Sequence, residues 1–190
     1  RGEYVAEKDQ RLRWLTGFEG SAGICVLVKQ RIGIFVDGRY TVQAKNQTCS
    51  PIEIINWPKI KVTDWIIEVT NHGKIGFDPW LHSGDEIEQY KRSMENTEII
   101  FQATQNLVDL IWKDQPSAPT AKAFQYEDKF AGATQSHKRK TLSKELKENG
   151  NSAAVITLPE GIAWLLNMRG GDVKHLPIVQ AFAILHSSNE

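Results

Sequence analysis

Apolar positions gather into two runs, residues 24–28 and 32–36, separated by the polar Lys29-Gln30-Arg31. Runs of about five residues, rich in β-branched side chains and bounded by turn chemistry, predict two strands of a hairpin. Upstream, Leu12 and Leu15 have the spacing of one face of a short amphipathic helix that begins at Arg11. Gly17, Gly20 and Gly23 break that helix, because residues without Cβ permit turns and close backbone approach. The second strand ends on a polar tetrad, Asp37-Gly38-Arg39-Tyr40.

From Tyr40 onward strand and helix alternate. A helix is expected over residues 41–46 and a strand over 52–56. A second helix, over 61–70, places Val62, Trp65, Ile66 and Val69 on one face, and Gly73 is expected to stop it. A strand follows over 74–77. Ser83-Gly84-Asp85-Glu86 has the pattern of a capped N-terminus and opens a helix over 86–94. A strand over 98–102 and a short apolar helix over 107–112 complete this half.

Two prolines and small polar residues in Asp114-Gln115-Pro116-Ser117-Ala118-Pro119-Thr120 mark a linker. The expected organisation is a first domain over 1–113, a linker over 114–126 and a second domain over 127–190. In the second half, residues 134–149 read as a charged helix with Leu142 and Leu146 at i, i+4. Lys138-Arg139-Lys140 is read as its solvated face. Strands are expected over 153–158 and 178–185, with a helix over 162–167. Trp164 and Leu165 are expected in the core, and Arg169 is expected to pair with Asp172.

Trp14-Leu15 and Trp164-Leu165 each close a short helix ahead of a turn and an apolar strand, a weak internal repeat. Each copy lacks elements that the other has. The expectation is two α/β domains, each a mixed sheet of five or six strands with helices on both faces, in a chain that is a fragment with its second domain truncated.

The 23 basic residues balance the 23 acidic ones, so charge points to neither nucleic acid nor an anionic membrane. No apolar run reaches the 18 or so residues that a membrane helix needs. Cys25 lies in a strand and Cys49 at a loop edge; without a spacing pattern they suggest a reducing, cytoplasmic setting, and one disulfide stays open. The glycine stretch at 17–23 neither follows a strand nor carries a phosphate-loop ending, which argues against nucleotide binding. Asp37 and Arg39 admit two readings: a solvated pair that merely caps the next helix, or a recognition group.

Three stretches carry a resemblance. They are Glu3-Tyr4-Val5; Arg11-Leu12-x-Trp14-Leu15-Thr16-Gly17-Phe18-x-Gly20-Ser21-Ala22-Gly23; and Asp37-Gly38-Arg39-Tyr40-x-x-Gln43-Ala44. They resemble the N-terminal domain of the aminopeptidase P (Xaa-Pro aminopeptidase) family, a domain shared with creatinase and prolidase. Ile162-Ala163-Trp164-Leu165-Leu166-Asn167-x-Arg169-Gly170-x-Asp172-Val173-x-His175-x-Pro177 is similar to the second N-terminal domain of the three-domain members. Glu160-Gly161 departs mildly from that family's pattern, in which an acid stands just before Ile-Ala-Trp-Leu.

The resemblance implies creatinase-type domains that help build a homodimer, reach over a C-terminal catalytic domain, and select peptides with proline at the second position. It implies that Arg39 contacts the peptide substrate, with Asp37 orienting its loop, and that His175 and Pro177 line the border with the catalytic domain. The dinuclear site, of two divalent ions and usually manganese, belongs to that other domain, through two aspartates, a histidine and two glutamates. No such set is recognisable in this sequence, so no catalytic or metal-ligating residue is assigned. The five histidines, His72, His82, His137, His175 and His186, are scattered without an HxxxH or HExxH arrangement. Cys25 in mid-strand would make a poor thiolate, and Ser21 lacks the setting of a nucleophile elbow. Two other readings stay open on sequence alone: a protein-binding module on a degenerate peptidase scaffold, as in histone chaperones of this architecture, and an independent α/β ligand-binding domain.

Overall fold

The computed structural model describes residues 4–188, which fall into two compact units, one of residues 10–115 and one of residues 4–9 with 116–188. In the first, helix α1 (Arg11–Thr16) ends on Gly17, whose φ of 80° lets its N–H reach the Arg13 carbonyl. Strands β1 (Ile24–Val28) and β2 (Arg31–Val36) form the antiparallel hairpin. After helix α2 (Thr41–Gln47), strand β3 (Ile52–Asn56) joins β2 in parallel, placing β2 in the centre. Helix α3 (Val62–Val69), strand β4 (His72–Phe77), helix α4 (Gly84–Ser93), strand β5 (Glu98–Ala103) and helix α5 (Leu107–Ile111) follow. β4 and β5 pair in parallel.

The central position of β2 explains its unbroken apolar run. Successive side chains point to opposite faces, and both faces are covered. Ile34 and Val36 pack with Phe18 and Ala44 on the side of α1 and α2. Phe35 turns the other way, against Trp65 and Ile66 of α3. Helices therefore cover both faces of a mixed sheet, as expected. The sheets are smaller than expected: five strands divide into a group of three and a group of two. Periodicity locates strands but does not say which edges hydrogen-bond. Gly73 does not stop α3 either. The helix ends at Thr70, whose hydroxyl bonds the backbone of His72, and β4 already runs through Gly73.

The second unit contains strand β6 (Phe124–Gln125), helices α6 (Asp128–Ala131) and α7 (Gln135–Glu148), strand β7 (Ala153–Ile156), helix α8 (Pro159–Leu165) and strands β8 (Met168–Arg169) and β9 (Ala183–His186). β6 pairs with β8 and β7 with β9, both antiparallel. The end of the stretch read as linker is thus a strand, too short to show a period. α8 starts earlier than expected because Pro159, with its φ already helical, suits the first turn. β9 starts later than expected. The Asp172 carboxylate accepts from the Gln180 N–H at 2.8 Å, and Ile178 is buried in a loop that this bond holds.

Three side chains here differ from expectation. Lys138 is not solvated: it is 6% exposed, and its ammonium donates to the Trp164 carbonyl at 2.9 Å and to Asn167 Oδ1 at 2.6 Å. Within the Lys138-Arg139-Lys140 run, Lys140 alone is classed as exposed. Trp164 is half exposed, with that ammonium 4.6 Å from its ring centroid, while Leu165 is buried as expected. Arg169 does not pair with Asp172; it donates to the Ala163 and Met168 carbonyls and lies over the Tyr126 ring. No helix among the described residues is long and apolar enough to cross a membrane.

Candidate functional site

The tetrad at the end of β2 forms a tight turn. The Tyr40 N–H donates to the Asp37 carbonyl at 3.0 Å, and Tyr40 then serves as the N-cap residue of α2. The Asp37 carboxylate accepts from the Arg39 backbone N–H at 2.9 Å, an Asx-type turn. The same carboxylate takes the guanidinium edge, with Nε at 3.0 Å and Nη2 at 2.8 Å. These bonds hold the Asp37 carboxyl below the usual aspartate range, the side-chain bonds to Arg39 being the largest cause. The Arg39 side chain is 66% exposed. It therefore stands at the surface, oriented by its neighbour, on a turn anchored by a buried strand.

The glycine stretch borders this turn. Phe18 is 1% exposed and meets the Tyr40 ring edge-on at 5.6 Å. Tyr40 Oη and Ser21 Oγ are 2.7 Å apart and hydrogen-bonded. A Cβ on Gly17 would lie 2.6 Å from the Gln47 carbonyl oxygen, so α1 and α2 approach as closely as they do only around glycine. Gln47 also accepts from the Glu19 N–H at 3.0 Å. Sequence reasoning named Tyr40 and Ser21 in their motifs without a role for either. Only folding brings positions 21 and 40 into contact.

The other candidates do not assemble into a site. Among the described residues no group of three or more His, Cys, Asp or Glu side chains is placed to hold a metal ion. His82 contacts Glu86 at 3.0 Å and His72 contacts Asn71 at 3.0 Å, while His137, His175 and His186 are exposed. Burial pushes the Cys25 thiol up to about 11, the wrong direction for a nucleophile. Cys25 and Cys49 are both free thiols.

Residues 4–110 match the creatinase/prolidase N-terminal domain family, and residues 114–190 match a second family of the same description. The chain is 35% identical to aminopeptidase P2 of Arabidopsis thaliana, over 97% of its own length and 27% of that protein's. It is 31% identical to Xaa-Pro aminopeptidase 2 of Sus scrofa, over 98% of itself and 29% of that protein. The crystal structure of X-prolyl aminopeptidase from Caenorhabditis elegans, described as a cytosolic enzyme with a di-nuclear active site, matches with a TM-score of 0.92 at 31% identity. That match covers 98% of this chain and 31% of the nematode enzyme. The chain thus spans less than a third of the length of these relatives. Matched in two successive stretches by sequence, and over nearly its whole length by structure, the chain belongs to the creatinase/prolidase N-terminal domain family.

Proposed function

We propose that this chain is the non-catalytic N-terminal portion of a metal-dependent Xaa-Pro aminopeptidase, which removes an N-terminal residue preceding proline. Its part is substrate positioning through Arg39, together with dimerisation. The observation that carries this reading is the match to the nematode X-prolyl aminopeptidase over 98% of the chain, joined to an exposed guanidinium on a rigid turn. A guanidinium presents fixed, planar N–H donors suited to the carbonyls and carboxylate of a peptide. Asp37 orients that fork and takes no part in proton transfer.

Hydrolysis is assigned to the remaining polypeptide. Two divalent ions there, manganese in this reading, would activate water and polarise the scissile carbonyl. The protein is read as a cytoplasmic homodimer, in keeping with the description of the nematode relative as cytosolic. Exposed Leu107, Leu110 and Ile111 on α5 offer the kind of apolar surface that self-association covers.

The test is Arg39→Ala in the intact protein that carries this chain. A lost charge-assisted hydrogen bond predicts a KM for Xaa-Pro peptides raised by about tenfold with kcat little changed. Unchanged KM would remove Arg39 from the substrate site.

A further inference from the structure

Tyr40 contacts Arg39, Phe18, Ser21 and the Asp37 carbonyl. The Arg39 guanidinium carbon lies 5.0 Å from the Tyr40 ring centroid, within cation–π range. The ring also meets Phe18 edge-on, and its hydroxyl is held by Ser21 at 2.7 Å. Phe18 is itself immobilised, because the backbone at Gly20 and Gly23 closes over it. A Cβ at those positions would stand 2.1 Å and 3.1 Å from Phe18 ring atoms. The guanidinium is therefore restrained both by Asp37 along one edge and by the Tyr40 ring. An arginine side chain carries much rotamer entropy, and ordering it before substrate arrives lowers the cost of binding.

We infer that Tyr40 is a positioning residue for peptide binding: its ring, pinned by Ser21 and backed by Phe18, sets the plane in which Arg39 meets the peptide backbone. The inference rests on the proposed role of Arg39 and deepens it, by tying the Gly17–Gly23 loop to substrate affinity through one aromatic ring.

The experiment is a double-mutant cycle in the intact protein, read as KM and kcat for an Xaa-Pro peptide. Tyr40→Leu should raise KM about two- to fivefold, the size of an exposed cation–π contact, with kcat held within about twofold. Tyr40→Phe keeps the ring and should restore most of the affinity. In an Arg39→Ala background Tyr40→Leu should change KM no further, since a residue that acts through Arg39 is silent once Arg39 is gone. An additive effect, or no effect of Tyr40→Leu in the native background, overturns the inference while leaving Arg39 in place. An unaltered KM for Arg39→Ala alone overturns the underlying reading instead. If Tyr40→Leu does not fold, Tyr40→Met carries the test: it too removes the ring while keeping apolar contact with Phe18, and a KM equal to the native value overturns the inference. In NMR spectra of this chain, Tyr40→Leu should also abolish the ring-current shift of the Arg39 side-chain protons; a shift unchanged by the substitution counts against it.

Discussion

Lys138 and Glu53 show how far a charged residue's role depends on what folding places beside it. The Lys138 ammonium donates to two carbonyl oxygens, of Trp164 and of the Asn167 amide. Asn167 is 1% exposed, has a φ of 47°, and passes its own amide N–H groups to Asp128 and Ala133. Lys138→Met keeps most of the apolar stem but strands both acceptors, each worth roughly 1–3 kcal/mol when buried without a partner. It should destabilise the second unit by about 2–4 kcal/mol in urea titration, whereas Lys140→Met at an exposed position should stay within about 0.5 kcal/mol. Glu53 is gripped by Arg31 at 2.7 Å through both oxygens and receives the Trp65 indole N–H. These bonds, Arg31's first, hold its carboxyl below the usual range. A carboxylate depressed in the folded state contributes stability above its unfolded value of about 4.3, and loses it as pH falls through the lower folded value. The Tm gap between native protein and Glu53→Gln should therefore be flat above about pH 5 and close as pH drops below about 4. A gap that holds its size at low pH would show the pair to be energetically silent.

At the scale of elements, the loop from α1 to β1 is tightly constrained by its glycines. Gly17 combines a φ of 80° with a backbone oxygen 2.6 Å from where Cβ would stand, so alanine meets both strain and collision. Gly17→Ala should lower the urea midpoint by an amount equivalent to about 2 kcal/mol or more. Gly38 lies in the tetrad at the end of β2 yet has no atom within 4 Å of a hypothetical Cβ, and no positive φ. Gly38→Ala should be close to neutral for stability. Equal effects at the two positions would mean that the loop relaxes more freely than its packing indicates.

For the molecule as a whole, the proposed reading places hydrolysis in the remaining polypeptide. The described residues hold no cluster able to bind an ion, while the chain spans less than a third of its relatives' length. On the proposed reading, in which both ions belong to the remaining polypeptide, the isolated chain is expected to hydrolyse no Xaa-Pro peptide even with added manganese. Release of an N-terminal residue from a proline-containing peptide by the purified chain would contradict that assignment.

The sequence by itself determined which segments become helices and strands in the first unit, and it marked Asp37-Gly38-Arg39-Tyr40 at the end of β2 as the candidate site. These features are local: a period of two or 3.6, a Ser83 cap that accepts from the Glu86 N–H, a glycine after a helix. The second unit was less legible, because its two-residue strands pair residues far apart in the chain and its 172–180 loop is held by an aperiodic bond between the Asp172 carboxylate and the Gln180 N–H. Only the tertiary structure decided that five strands form two sheets, that Lys138 is buried, and that Ser21, Phe18 and Tyr40 converge behind Arg39. The physical reason is common to all three. Hydrogen-bond partners and solvent exposure are set by which surfaces meet, and one-dimensional periodicity carries the face that a residue occupies but not the neighbour waiting there.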